Sequence, residues 1–365
     1  MRIAIDASRS TVWRVTGTEH YAIELIRAII RQNTHHDITL YFRDSPSPDL
    51  FPLSNQVCYK IIPFRRAWTH LRFAAALWHD RPDVTFVPAH TLPIAFPGRA
   101  VVTVHDLGFK YFPQAHPIRQ RLYLDWTTRY SARRAALILA DSQATARDLI
   151  NYYGTPADKI HVVYPGVEKL NPLPHGEGRT ETVQQKYRLP ERYFLFIGTL
   201  QPRKNIARIV AAYQVWKTAH PGDPAGLVLA GGAGWLYDLA WVEGVEGIYM
   251  PGYIDDTDKT ALYAGSLALV FPSLYEGFGF PVIEAMRGGA PVIASSTSSL
   301  PELVGDAGLL VDPLDVGDIA AAMGKISDDD GLRGHLRERG YAQAAHFTWA
   351  RAAHGALAAF EQIGN

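Results

Sequence analysis

Short runs of aliphatic and β-branched residues recur along the chain, and between them lie longer stretches whose apolar positions return at helical spacing. Strand and helix therefore alternate, the signature of a parallel sheet wrapped by helices. In the first half the pattern predicts strands at Arg2–Asp6, Ile38–Phe42, Val84–Val87, Ala100–Val104, Leu137–Ala140 and His161–Val163, with helices that include Glu19–Gln32 and Arg119–Ala135. In the second half it predicts strands at Tyr193–Ile197, Gly226–Ala230, Ile248–Met250, Ala268–Phe271, Val292–Ala294 and Gly308–Val311. Each half reads as a doubly wound, Rossmann-like α/β unit. No short-period repeat interrupts the alternation.

Between the halves lies NPLPHGEGRT, whose Pro, Gly and charged residues suit neither strand nor core. The predicted organisation is a first domain over 1–167, a linker over 168–190, a second domain over 191–346, and a terminal segment 347–365. The Ala-rich stretch Phe347–Ile363 in that segment is predicted to be a helix that returns to the first half.

Composition narrows the class. A chain of 365 residues, 47% hydrophobic and 20% charged, can bury two cores, and it has no apolar run long enough to span a bilayer. The opening MRIAIDASRS offers only a short apolar run before Asp6, which reads as a first strand and not as a secretory signal. The single cysteine, Cys58, permits no internal disulfide and no thiolate zinc site, so a cytoplasmic location is expected. Net charge is zero, yet the residues up to 170 carry +7 and the rest −7. A basic first half suits an anionic acceptor or lipid surface. The arginines at 65, 66, 119, 121, 129, 133 and 134, near Trp68, Trp78 and Trp126, are the expected contacts with an anionic membrane. Nothing in the pattern calls for nucleic acid.

Three segments carry chemistry. In LALVFPSLYEGFGFPVIEAMRGGAPVIASS a strand, a Gly-rich turn, a helix and a second strand form a βαβ unit. Glu276 falls at the carboxyl end of its first strand, where doubly wound sheets bind ligands, and Gly277 and Gly279 let backbone approach closely. The helix that follows offers its amides to an anion. Glu284 sits one turn into that helix, and a pair of carboxylates suits polyol recognition because each accepts from neighbouring hydroxyls. In YFLFIGTLQPRKN a buried strand ends at Gly198, with Arg203 and Lys204 in the loop beyond, a cationic pair matched to a diphosphate. In VVTVHDLGF a strand ends at His105 and Asp106, an imidazole able to contact a ligand or handle a proton and a carboxylate able to orient it or cap the next element. Gly17 precedes the first helix and could approach a phosphate or an acceptor. LVLAGGAGW lacks the spacing of a dinucleotide fingerprint and no Walker lysine motif occurs. The acidic runs Asp255–Asp256 and Asp328–Asp330 read as solvated, so no metal site is expected.

Taken together, EGFGFPVIEAM, GTLQPRKN, VHDLGF and DSQATARDL resemble the retaining GT-B glycosyltransferases of the large bacterial group of family 4 type, which includes mannosyltransferases of cell-surface polysaccharide synthesis. The resemblance covers nearly the whole chain; the turn PGYIDD and the segment SSLPELVGDAG agree in position. It implies a GT-B fold, two Rossmann-like domains facing across a cleft, and the transfer of a hexose from a nucleotide diphosphate without cofactor or metal. It implies that Glu276 contacts the donor sugar and Glu284 the ribose, and that Arg203 and Lys204 hold the diphosphate. His105 lies near the sugar, Tyr253 and Ile254 near the base, and the amides of Phe278, Gly279 and Phe280 near sugar and phosphate. Asp106 and Ser142 fall on the acceptor side. The donor expected from the resemblance is GDP-mannose and the acceptor a saccharide or a lipid-linked saccharide. The first loop, RSTVWRVTGTEHY, departs from the group in carrying one glycine where many relatives carry several. A UDP-sugar-dependent glucosyl- or N-acetylglucosaminyltransferase and a nucleotide-sugar epimerase on the same fold are the competing readings.

Overall fold

The computed structural model describes residues 1–12, 17–52, 54–167 and 179–364. The chain forms two compact units, Met1–Gly166 with Thr348–Asn365, and Val167–Phe347.

The first unit is built on strands β1 (Arg2–Asp6), β2 (Asp37–Phe42), β3 (Val57–Ile61), β4 (Val84–Val87), β5 (Arg99–Val104), β6 (Leu137–Ala140) and β7 (Ile160–Val162). They form a seven-stranded sheet in the order β3-β2-β1-β4-β5-β6-β7, every neighbour parallel. Inner strands such as β6, LILA, are buried throughout, which is why they read as unbroken apolar runs. β3 escapes that pattern: VCYKI is an edge strand with mostly half-exposed or exposed positions, and the hydrophobic reading passed over it. The helix Gly17–Gln32 covers the sheet with Tyr21, Leu25, Ile26 and Ile29 buried. The terminal helix Trp349–Gly364 belongs to this unit and packs along Gly17–Gln32, with Ala352, Ala353, Ala356 and Ala359 buried at the contact side. Alanine lets the two backbones approach closely.

The second unit holds β8 (Tyr193–Ile197), β9 (Gly226–Ala230), β10 (Ile248–Gly252), β11 (Ala268–Phe271), β12 (Val292–Ser295) and β13 (Leu309–Val311), a six-stranded parallel sheet in the order β10-β9-β8-β11-β12-β13. The segment expected as linker, 168–190, is only partly so. Residues 168–178 lie outside the described residues, whereas Arg179–Tyr187 is a helix that buries Val183 and packs on the helix Lys259–Ala264. Its sequence RTETVQQKY carries a single interior aliphatic residue, too little for an apolar stripe to show.

Both sheets reverse strand order once, between β1 and β4 and between β8 and β11. Strands diverge from a reversal in opposite directions, so the loops leaving them open a crevice at their carboxyl ends. Gly231 shapes that edge in the second unit. Its φ is +137°, and a Cβ there would lie 2.0 Å from the carbonyl oxygen of Gly198. Only glycine lets the chains leaving β8 and β9 run this close.

Candidate active site

The loop that leaves β8 and the loop that leaves β11 flank the reversal of the second sheet. The first turns through a short 3-10 segment, Pro202–Lys204, and ends at Asn205, a non-glycine residue held at φ +65°. The buried Asn205 amide donates to the carbonyls of Pro272, 2.9 Å, and Pro313, 2.6 Å, tying this loop to the exit of β11. Leu274 N donates to Arg203 O at 2.9 Å, which closes the two loops together.

Held this way, Arg203, Lys204 and Glu276 converge. Arg203 Nη1 donates to Glu276 Oε2 at 2.8 Å and Lys204 Nζ to Oε1 at 2.5 Å, while Arg203 also bonds the carbonyl of Tyr275. Glu276 and Lys204 are both buried, and the ammonium lies 4.7 Å from the Phe271 ring centroid. Burial alone would push the Glu276 carboxyl up, but the charges of Arg203 and Lys204 and their hydrogen bonds hold it down at about 2. The glutamate is thus ionised between two cations, and each carboxylate oxygen keeps a further acceptor site for a hydroxyl.

The backbone of Glu276 is fixed from the β12 side. Its N–H donates to Ser298 Oγ at 2.9 Å, Ser299 Oγ donates to its carbonyl at 3.0 Å, and Ser298 Oγ donates to the same carbonyl. Gly279, φ +127°, then turns the chain into the helix Phe280–Arg287; a Cβ there would meet Leu300 Cδ2 at 2.7 Å. Phe278 is buried, with its ring 5.1 Å from that of Phe280. Glu284 is half-buried on the same helix and accepts from the buried Tyr263 hydroxyl at 2.9 Å. Burial opposes the charge of Lys259, but Glu284 and Asp256 together outweigh it and raise the ammonium above its ordinary range. Tyr253 is 73% exposed just beyond β10, and the neighbouring Ile254 is buried. Gly198, at φ +144°, ends β8.

The remaining expected residues belong to the first unit, at the carboxyl edge of its sheet. His105 follows β5, buried, with Nδ1 2.7 Å from Asp141 Oδ2 and Nε2 3.3 Å from the carbonyl of Pro88. Both nitrogens face acceptors, an arrangement that suits the doubly protonated ring. Burial disfavours that cation, but the Asp141 carboxylate overcomes it and raises the His105 pKa. The His90 ring lies 5.6 Å away, pushed down to about 4 by burial and by the His105 charge, and the Tyr21 ring packs edge-on at 4.7 Å. Ser142, expected on the acceptor side, is instead fully buried: its Oγ accepts from Thr145 N at 3.0 Å and caps the helix Gln143–Tyr153. That is a structural cap. Asp106 accepts from Gly108 N at 2.6 Å and caps the next turn. Gly17 opens the helix Gly17–Gln32; residues 13–16 of the loop before it lie outside the described residues. The membrane-facing set also needs one correction, since Trp68 is buried, its indole donating to Ile62 O at 2.8 Å, whereas Trp78 and Trp126 are exposed.

Asn205, Ser298, Ser299 and Asp141 were not singled out from sequence. A lone Asn after RK, a serine pair before LPEL and an Asp opening DSQ are each common; only the fold shows what they hold. No helix among the described residues is long and apolar enough to cross a membrane.

Two Rossmann-like units, the second with a cation-carboxylate cluster at its strand reversal, make up the GT-B architecture of glycosyltransferases. Comparison with known proteins agrees. Residues 15–169 match the model of "Glycosyltransferase Family 4" and residues 179–343 that of "Glycosyl transferases group 1". The chain is 35% identical to the O-antigen chain mannosyltransferase B of Escherichia coli over 94% of this chain and 96% of that one. Among solved structures it resembles a sucrose-phosphate synthase from Thermosynechococcus elongatus, TM-score 0.75 at 20% identity, over 99% of this chain and 98% of that one. It also resembles the Anabaena HepE protein in complex with UDP and glucose, TM-score 0.73 at 16% identity, over the full length of both. The chain belongs to the family 4, group 1 glycosyltransferases and is an enzyme of that class.

Proposed function

We propose that the chain transfers mannose from GDP-mannose to a saccharide or lipid-linked acceptor in cell-surface polysaccharide synthesis, with retention of anomeric configuration and without a metal. The observation that carries this reading is the cluster of half-buried Arg203 with buried Lys204 and Glu276 at the β8 and β11 exits. Its guanidinium and ammonium donors suit the charge that builds on a departing diphosphate, the task a divalent ion performs elsewhere. Glu276 holds both cations in place and has acceptor capacity left for a sugar hydroxyl; Glu284 would take the ribose, and Tyr253 and Ile254 the base. The phosphate oxygen released on bond cleavage takes the proton of the acceptor hydroxyl, which attacks from the face the diphosphate leaves. His105, at the carboxyl edge of the first sheet beside Asp141, would lie near the donor sugar. The mannose assignment rests on the name of the 35% identical relative; HepE, bound to UDP and glucose, supports a UDP-sugar as the second reading.

The test is transfer from GDP-mannose and, separately, UDP-glucose to a lipid-linked saccharide in excess EDTA, with the product's anomeric configuration read by NMR. Retained transfer from GDP-mannose supports the reading; dependence on added magnesium or manganese, or an inverted product, defeats it.

The same reading puts the enzyme on the inner face of an anionic membrane. The helix Ile118–Arg134 exposes Ile118, Leu122 and Trp126 beside Arg119 and Arg129, and His70 Nε2 meets Tyr123 OH at 3.0 Å, joining this face to the exposed Leu71 and Arg72. Apolar side chains among arginines fit a negative lipid surface.

A further inference from the structure

A second cluster of metal-ligating side chains lies in the first unit, apart from every residue assigned to the donor. Between the helix Gly17–Gln32 and β2, residues 33–36 form a turn that sets two histidines side by side, their ring centroids 4.0 Å apart. His36 is fixed by its neighbours: its N–H donates to Asn33 Oδ1 at 3.0 Å, and Asn33 Nδ2 donates to its carbonyl at 2.6 Å. The His36 side chain is buried, so its orientation is set by packing. Thr34 Oγ1 bonds His35 Nδ1 at 2.8 Å, which leaves that ring's other nitrogen facing outward from the turn.

Both rings aim Nε2 at one atom. Glu361 Oε1, near the end of the terminal helix Trp349–Gly364, lies 3.4 Å from His35 Nε2 and 3.3 Å from His36 Nε2. The three donor atoms all lie within 4.8 Å of one another. Bonds of about 2.0–2.1 Å to imidazole nitrogen and carboxylate oxygen, arranged tetrahedrally, separate adjacent donors by roughly 3.3–3.4 Å. The two histidine-to-carboxylate separations already have that length. The hydroxyl on His35 Nδ1 is the kind of partner that orients a ligating ring.

We propose that His35, His36 and Glu361 bind a divalent transition metal of the zinc class, with water completing a four-coordinate site. Two imidazole nitrogens with one carboxylate oxygen suit zinc, whereas calcium and magnesium take oxygen donors throughout. The ion would join residues 325 positions apart in sequence, clipping the end of the terminal helix to the entry of β2. Gln32 Nε2, which donates to Ala350 O at 2.8 Å, already ties the start of that helix to the same region. The role is structural, and it is separate from the metal-independent chemistry proposed above: chelation would loosen the helix and leave the diphosphate cluster as it is.

The test uses the full chain, stripped with chelator and titrated with cobalt(II), whose visible absorption reports four-coordinate geometry, followed by displacement with zinc. His35→Ala removes an exposed ligand without opening the core, and Glu361→Gln keeps shape and hydrogen bonding while removing charge. One equivalent of cobalt is expected to give the four-coordinate spectrum in the parent chain, with affinity falling roughly 10–100-fold or more in each variant. Zinc is expected to raise the melting midpoint of the parent chain and to raise that of the variants much less. Absence of the four-coordinate spectrum overturns the proposal. So does equal cobalt affinity in parent and both variants, which would mean an ion held elsewhere among the chain's histidines.

Discussion

Replacing Lys204 by Met removes a buried ammonium and keeps most of its volume. The perturbation matters through Glu276, which is only 6% exposed and accepts from Lys204 at 2.5 Å and from Arg203 at 2.8 Å. With both partners its pKa is about 2 instead of 4.5. A shift of that size corresponds to about 3 kcal/mol of preference for the ionised form. Removing one partner of a buried pair costs about 3–5 kcal/mol when the charge left behind is uncompensated; because Arg203 remains, the expected loss falls below that range, about 2–3 kcal/mol. The sign of the pH dependence follows. A depressed carboxylate pKa stabilises the fold above pH 4.5, and that contribution fades as pH falls toward 2. Lys204→Met should therefore lose most stability near neutral pH and little at the acid end of that window. The assay is chemical unfolding of the parent, Lys204→Met, Glu276→Gln and the double variant at several pH values. A coupling energy of about 1–3 kcal/mol between the two sites is expected, with the double variant less destabilised than the two losses added. Additive losses, or a Lys204→Met chain as stable as the parent, would refute the claim that these charges hold each other.

Asp141→Asn should lower the His105 pKa, since the carboxylate that raises it is gone. The parent's pairing contributes stability fully below the unfolded histidine value near 6.5 and loses it as pH rises through the raised folded value, so the parent's advantage over Asp141→Asn should shrink across that window in parallel unfolding curves. Asn205→Ala strips two buried carbonyls of their donor and should cost about 2–3 kcal/mol, with a weaker response to nucleoside diphosphate in thermal shift. Gly231→Ala puts a Cβ 2.0 Å from a backbone oxygen at a positive φ, and should cost about 3 kcal/mol or prevent folding, read as lost soluble yield or a lowered melting midpoint. Vesicles of anionic lipid should pull down the parent chain at low salt, and Trp126→Ala with Arg129→Ala should weaken that sedimentation; retention equal on neutral vesicles would count against the arginine-rich face.

The inner strands were legible because strands buried on both faces are mostly apolar runs, and β1, β4, β6, β8, β9 and β11 lie where the sequence pattern put them. β3 was not legible because an edge strand with an exposed face, VCYKI, shows no such run. The helix Arg179–Tyr187 stayed hidden for the same reason, with Val183 its one buried residue. At the site, Glu276, Arg203 and Lys204 stood out as charges at strand ends, but their mutual pairing depends on loops separated by about seventy residues, which spacing cannot encode. The capping role of Ser142 was not legible because a capping serine and a ligand-facing serine look alike before the helix is seen. Asp141 was missed because its importance comes from His105, which is 36 positions away and on the neighbouring strand.

Arg203, Lys204 and Glu276 are proposed as a diphosphate site that works without metal. Calorimetric titration in excess EDTA with GDP and with guanosine probes that site, on the parent chain and on Arg203→Ala with Lys204→Ala. The parent should bind GDP about 100-fold or more tighter than guanosine, since the difference is the diphosphate alone, and the double variant should lose most of that margin while still binding guanosine. A parent chain that binds the two equally, or a folded double variant that keeps the full preference for GDP, would contradict the account.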